Sequence, residues 1–212
     1  MAKIIIGVPC MEQVSASFCK SLAMLQKTGH EIAFDFAINS LVYDSRNRIA
    51  ARACEAGEAD YVMWFDSDMV FEPDTLLKLL KADKDIVSGL YWRRSPPFTL
   101  VAFDKCDLET GDWTQQEEPE ELTTCEAVGF GCVLIKVEVL YDVFNRFRTW
   151  FQPMKGFGED LAFCWRARQL GYEIWLDPSV RCGHMGHMVV TGEYAKAFRK
   201  QEATRKNESS SN

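Results

Sequence analysis

Tyr61-Val62-Met63-Trp64-Phe65-Asp66-Ser67-Asp68-Met69-Val70 decides how the chain reads. Five apolar residues run into two carboxylates that stand one residue apart. A short apolar run with a polar stop is the pattern of a buried central strand in an α/β sheet. Ligands of such sheets sit just past the carboxyl ends of the strands, so Asp66 and Asp68 project into a site. Two carboxylates this close repel unless a positive charge stands between them. A divalent cation supplies that charge, and hard oxygen ligands favour Mg²⁺ or Mn²⁺. Such an ion in turn binds a diphosphate. The competing reading is that one aspartate merely caps the helix that begins near Pro73.

The totals fit a folded α/β protein. A chain of 212 residues suits one domain with a sizeable core. Its 47% hydrophobic content excludes a disordered chain, and its net charge of −7 argues against a nucleic-acid partner. The acidity is local, because residues 104–124 hold eight carboxylates and one lysine. That stretch reads as a solvated loop rather than a site. There are eight cysteines and no Cys-x-x-Cys pair. Cys10, Cys54, Cys132 and Cys164 sit in apolar or helical patterns and read as small core residues of a reducing compartment. The apolar run after Lys3 is too short for a signal peptide or a membrane span. The expectation is a cytoplasmic protein with no transmembrane segment.

Around the central strand the chain alternates. Residues 3–8 read as a first strand ended by Pro9, and Ser15–Thr28 as a helix closed by Gly29. Residues 31–38 give a second strand. Asp44 or Ser45 caps a helix running to Ala56 and closed by Gly57. After the central strand come a helix over 73–81 and a strand over 85–91. This is the pattern of a parallel sheet with right-handed crossovers. The second half is less regular. Strands are expected at 98–103 and 125–135, helices at 137–147 and 159–170, a last strand at 173–176, and a polar helix and tail over 193–212. Neither a Gly-x-Gly-x-x-Gly fingerprint nor a P-loop is present.

Asp-Ser-Asp after an apolar strand, followed by Met-Val-Phe-Glu-Pro-Asp and a leucine-rich helix, resembles the GT-A glycosyltransferases, especially those like family 2. The resemblance covers roughly residues 3–190. Ser45-Arg46-Asn47 resembles the Ala-Arg-Asn of those enzymes that faces the nucleotide. Asp85 to Arg94 resembles the strand and basic segment after the acidic motif, with Arg93 or Arg94 near donor or acceptor. Glu126-Ala127-Val128-Gly129-Phe130-Gly131-Cys132 resembles the glycine-containing strand beneath the sugar. Gly156-Phe157-Gly158-Glu159-Asp160 resembles the Glu-Asp motif that opens the helix beside the acceptor.

The resemblance implies a single GT-A (Rossmann-like) α/β domain over 1–192, with a mostly parallel central sheet and a small antiparallel second sheet. Residues 1–95 are then the nucleotide-binding half and 96–192 the acceptor and catalytic half. It implies a donor site at Pro9, Arg46, Asn47, Asp66, Ser67, Asp68 and Gly131, and Mn²⁺ or Mg²⁺ held by Asp68 and Asp66. Asp160 is the implied general base, with Glu159 next in line. A carboxylate at a helix N-terminus stays ionised and can accept a proton, although capping is the plainer role. Trp150 and Phe151 are aromatic candidates for stacking on an acceptor sugar, against core packing as the default. In Cys182-Gly183-His184-Met185-Gly186-His187, His184 is the implied further metal ligand. His187 and a zinc site with Cys182 are the rivals.

The expected activity is sugar transfer from a UDP- or GDP-sugar to a glycan or other hydroxyl acceptor, with inversion expected and retention open. The alternatives are a non-catalytic nucleotide-sugar or glycan-binding module, for which the chain's small size speaks, and a nucleotidyltransferase on a related fold.

Overall fold

A computed structural model of the chain describes residues 1–186 and 192. The expected polar helix over 193–206 and His187 lie outside those residues. The first strand, β1 (Lys3–Cys10), leads to α1 (Ala16–Met24). Ser15 caps α1, its hydroxyl accepting from the Phe18 backbone N–H at 3.0 Å. The helix stops at Leu25, three residues short of the expected Thr28. Then follow β2 (Glu31–Ile38), α2 (Val42–Ala56), β3 (Tyr61–Phe65), β4 (Met69–Val70), α3 (Thr75–Ala82) and β5 (Ile86–Leu90). Gly57 closes α2 in the left-handed region at φ 62°, where a side chain is disfavoured. Leu41, with no side-chain cap, is its N-cap, so Asp44 and Ser45 lie inside the first turn instead of capping it.

Pro9 does not end β1: it pairs with Ala37 of β2. The reason is the direction its nitrogen faces. Lys3 accepts from Asp60 on the β3 side, and alternate residues of a strand point the same way, so Pro9 faces that side too. Pairing with β3 is over by Gly7, and no ladder bond is lost.

The second half contains β6 (Ala102–Cys106), β7 (Trp113–Gln115), β8 (Thr123–Cys125), β9 (Ala127–Val128), β10 (Cys132–Lys136), α4 (Val137–Phe147), α5 (Glu159–Gln169), β11 (Ile174–Arg181) and β12 (Gly183–His184). The acidic stretch is therefore only partly loop, since it holds β7 and parts of β6 and β8. β6 and β7 pair as an antiparallel hairpin. Its turn is held by Asp107 Oδ1, which accepts from the N–H groups of Glu109 and Thr110 at 2.7 and 3.2 Å. The expected strand over 125–135 is broken at Gly129–Gly131, and that over 98–103 is displaced towards β6.

The main sheet has the order β2-β1-β3-β10-β5-β11-β8. β10 runs against both neighbours and β8 against β11, while the other five strands share one direction. A small sheet joins β4 to β12, and another joins β6 to β7 and β9. Each central strand feeds two core layers by alternation. Val62 and Trp64 pack with Ile49, Ala50 and Ala53 of α2, and with Leu140, Val143 and Phe163 of α4 and α5. Met63 and Phe65 pack with Phe18 of α1 and Leu76 and Leu79 of α3. β3 is buried on both faces, as its apolar run requires. The carboxyl ends of the parallel strands and the start of β10 meet along one edge.

Candidate active site

At that edge β3 gives way to a tight turn. The Asp66 N–H donates to Gly131 O at 3.2 Å, and the Met69 N–H donates to Asp66 O at 3.1 Å. Asp66, Ser67 and Asp68 are all half-buried in the turn. The two aspartates face different partners.

Asp66 meets Arg46, which α2 buries to 2% exposure. Arg46 Nη2 donates to Asp66 Oδ1 at 2.8 Å, and Nε donates to Glu159 Oε1 at 3.3 Å. The guanidinium also lies 5.3 Å from the Phe130 ring centre and 5.9 Å from that of Trp64. Burial opposes its charge, yet Asp66 and Glu159 keep it above the ordinary arginine range. Arg46 Nη1 and Trp64 Nε1 are buried donors without a protein partner among the described residues. Arg46 thus stands inside the site but not at a helix N-terminus, as the sequence had implied. Glu159 is its ion-pair partner. Burial pushes the Asp66 carboxyl up, with Arg46 opposing.

Asp68 meets His184 and Arg94. The β4–β12 ladder sets His184 opposite Met69 and brings His184 Nε2 to 3.3 Å from Asp68 Oδ2. Arg94 Nη1 lies 2.5 Å from the same oxygen. The Met185 N–H donates to Asp68 O at 2.8 Å. His184 Nδ1 lies 2.9 Å from Trp92 O, which assigns the Nδ1 proton to that carbonyl and leaves Nε2 for Asp68. Burial works against the Asp68 charge, but His184 and Arg94 hold its carboxyl below the usual range. The hydrogen bond to Asp68 raises His184.

Asp160 is the second residue of α5, after the cap Gly158 and Glu159. Its Oδ1 accepts from the Leu161 N–H at 2.8 Å. Burial first, and Glu159 second, push it up to about 6. Position at the helix start does not hold it in the ordinary aspartate range, as the sequence had implied.

Tyr91, which sequence reasoning did not single out, lies under this cluster. Its Oη accepts from the Gly131 N–H at 3.3 Å, and burial raises its hydroxyl well above the ordinary tyrosine range. A Cβ on Gly129 would stand 2.0 Å from that oxygen, and one on Gly131 would stand 2.9 Å from Tyr91 Cζ. The glycines of 126–132 therefore make room for Tyr91. An aromatic at a strand end gave no signal of this.

The remaining candidates serve the frame. Pro9 is buried within β1. Asn47 Oδ1 accepts from the Phe151 N–H at 2.9 Å and pins the segment before α5 to α2. Trp150 and Phe151 do not present ring faces to an acceptor. Trp150 donates Nε1–H to Leu140 O at 2.7 Å and stacks on Phe144, while Phe151 is fully buried among Trp64, Phe130 and Phe163. Cys182 is buried in the α1/α3-side core layer, which removes it from a zinc set.

Among the described residues, no three or more His, Cys, Asp or Glu side chains group as a metal set. Asp68 and His184 come together, whereas Asp66 is drawn to Arg46. A carboxylate and an imidazole nitrogen at a half-buried lip fit Mn²⁺ or Mg²⁺ completed by ligand oxygens.

The chain has a GT-A-like α/β fold. No protein-family model and no curated protein matches it. Among solved structures, A197 from STIV superposes with a TM-score of 0.60 at 17% identity, over 88% of this chain and 87% of that one. GalNAc-T7 with UDP, GalNAc and Mn²⁺ superposes with a TM-score of 0.59 at 11% identity, over 88% of this chain. This chain spans 43% of the length of GalNAc-T7. At these identities the likeness is one of fold. No helix among the described residues is long and apolar enough to cross a membrane.

Proposed function

We propose that the protein is a glycosyltransferase that moves a sugar from a nucleoside-diphosphate sugar to an acceptor hydroxyl. The observation that carries this reading is the different setting of two carboxylates, Asp68 joined to His184 and Arg94 and Asp160 at the start of α5. His184 and Arg94 hold Asp68 low, while burial and Glu159 lift Asp160 to about 6. Environments that push acids apart assign them different tasks. Asp68 stays ionised to hold positive charge. Asp160 is ionised at neutral pH yet basic enough to take a proton.

Asp68 and His184 are the residues to hold Mn²⁺ or Mg²⁺, with Asp66 beside them. Such an ion supplies Lewis acidity to a departing diphosphate. Arg46 fixes Asp66 against Glu159, so the floor of the site is set before any ligand arrives. Its unpartnered Nη1 is a further donor for an anionic ligand. Asp160 accepts the acceptor's hydroxyl proton as that oxygen attacks the anomeric carbon. The carbon–oxygen bond to the diphosphate breaks, the diphosphate keeps the electron pair, and direct displacement inverts the anomeric centre. GalNAc-T7, bound to UDP, GalNAc and Mn²⁺ on the same fold, supports a uridine donor as the first to try.

The test is thermal stabilisation by UDP- and GDP-sugars in Mn²⁺ and in EDTA, since a bound donor raises the melting temperature by mass action. A donor that stabilises only with the cation, and is consumed by wild type but not by Asp160→Asn, is the expected result. Stabilisation without turnover indicates a binding module. Stabilisation equal in EDTA removes the cation from the account.

A further inference from the structure

β2 is the outermost strand of the main sheet, paired to β1 along all eight residues. Among the described residues nothing pairs with its other edge. The Glu31 N–H donates to Ala2 O, and the Asn39 N–H donates to Cys10 O. Odd-numbered residues of β2 therefore spend their backbone groups on β1. Ile32, Phe34, Phe36 and Ile38 turn theirs to the open edge. The same four share one face of the sheet by alternation. Three of them are exposed large apolar side chains: Phe34 at 43%, Phe36 at 39% and Ile38 at 50%. Free edges are ordinarily blunted by proline, bulges or outward charge. This one carries none of these at its outward positions.

We infer that β2 pairs with β2 of a second copy, antiparallel about a two-fold axis through Asp35, to join two sheets into one. Three independent features agree on that register. The outward backbone groups fall opposite one another, Phe34 with Phe36 of the second copy and Ile32 with Ile38, as antiparallel hydrogen-bonded pairs require. The side chains on that face then meet as aromatic with aromatic and aliphatic with aliphatic. On the other face the axis sets Asp35 against its own copy, a repulsive pair if bare. Arg52 binds each Asp35 through two hydrogen bonds, Nε to Oδ2 at 2.7 Å and Nη2 to Oδ1 at 2.6 Å. Arg52 remains half exposed, free to meet the second carboxylate, so the four groups alternate in sign. Beside them Ala33 faces Ala37, small enough for close approach, and Glu31 faces Asn39. A second copy meets every one of these demands because the strand is its own complement. The antiparallel arrangement points the two carboxyl edges in opposite directions and leaves both candidate sites open. The dimer stands or falls independently of sugar transfer.

Light scattering on the full chain at micromolar concentrations, with amide hydrogen exchange, tests this. The expected result is a mass of two chains and slow exchange at the Phe34 and Phe36 amides that speeds on dilution. Phe36→Lys, at an exposed position, should give one chain per particle that still melts cooperatively. Phe34→Lys should act alike, whereas Tyr141→Lys, exposed on α4, should leave the dimer intact. A wild-type monomer overturns the proposal. So does a dimer that survives both β2 substitutions, since another face then makes it. A monomer with protected Phe34 and Phe36 amides overturns it too, because another segment of the chain then covers that edge.

Discussion

Arg46 Nη2 donates to Asp66 Oδ1 at 2.8 Å from a side chain that is 2% exposed. The same guanidinium reaches Glu159, 113 residues further along the chain. One buried cation thus joins the end of the central strand to the start of α5. Removing one partner from a buried ion pair strands the others in a poorly solvated place. Arg46→Ala is expected to lower stability by ~3–5 kcal/mol, read from urea denaturation. A loss below ~1 kcal/mol, the range of exposed pairs, would mean that water already screens the cluster.

The lifted Asp160 sets a pH dependence with a definite sign. Its carboxyl goes from an ordinary 3.8 to about 6 on folding. A raised acid favours the folded state while protonated, and that contribution fades as pH rises from about 4 through about 6. Asp160→Asn should therefore be more stable than wild type at pH 7 and close to it at pH 3.5. The activity limb runs the other way, because a base must be ionised, and the rate should climb with pH about a midpoint near 6. Asp160→Asn should cost ~10²–10⁴-fold in rate with donor affinity unchanged. A rate profile flat from pH 5 to 8 would remove Asp160 from the base role.

Arg94 occupies the oxygen of Asp68 that faces His184, and it is more than half exposed. An exposed pair of this kind contributes about 0–1 kcal/mol. Arg94→Ala should accordingly tighten Mn²⁺ binding in the presence of nucleotide by up to about fivefold. His184→Ala should weaken it. Calorimetric titration separates the two. Weaker binding in Arg94→Ala would show that Arg94 assists the ligand's phosphates more than it competes with the ion.

Gly129→Ala places a methyl group 2.6 Å from Val101 Cγ1 as well as against Tyr91 Oη. Overpacking of this kind costs ~1–3 kcal/mol. The variant should melt earlier and show a changed tyrosine near-ultraviolet dichroism. An unchanged melt would mean that the segment over 129–131 yields freely.

The sequence carried what is local. The run Tyr61–Phe65 could only be a doubly buried strand, and Gly57 could only close α2, because each signal lies within a few residues. Asp66, Asp68, Asp160, Arg46 and His184 stood out by residue type, and the fold gathers them at one edge. Their partners were not legible. That Arg46 serves Glu159 depends on a contact across half the chain. That His184 meets Asp68 depends on the two-residue ladder of β4 and β12. Trp150 and Phe151 misled for a related reason, since aromatics ahead of an acidic motif look alike whether they stack on a sugar or fill the space beneath α5. The acidic stretch hid the hairpin of β6 and β7, whose inward residues are too few to show a period.

The central claim is that this edge cleaves the bond between a sugar and a nucleoside diphosphate, and it is tested most directly by nucleoside diphosphate release. Wild type and Asp68→Ala are incubated with UDP- and GDP-sugars in Mn²⁺, with and without EDTA. The account predicts that at least one donor releases its diphosphate with wild type, that EDTA stops the release, and that Asp68→Ala lacks it while melting cooperatively. Release that continues unchanged in EDTA and in Asp68→Ala would contradict it, as would a full panel of donors that neither react with wild type nor stabilise it.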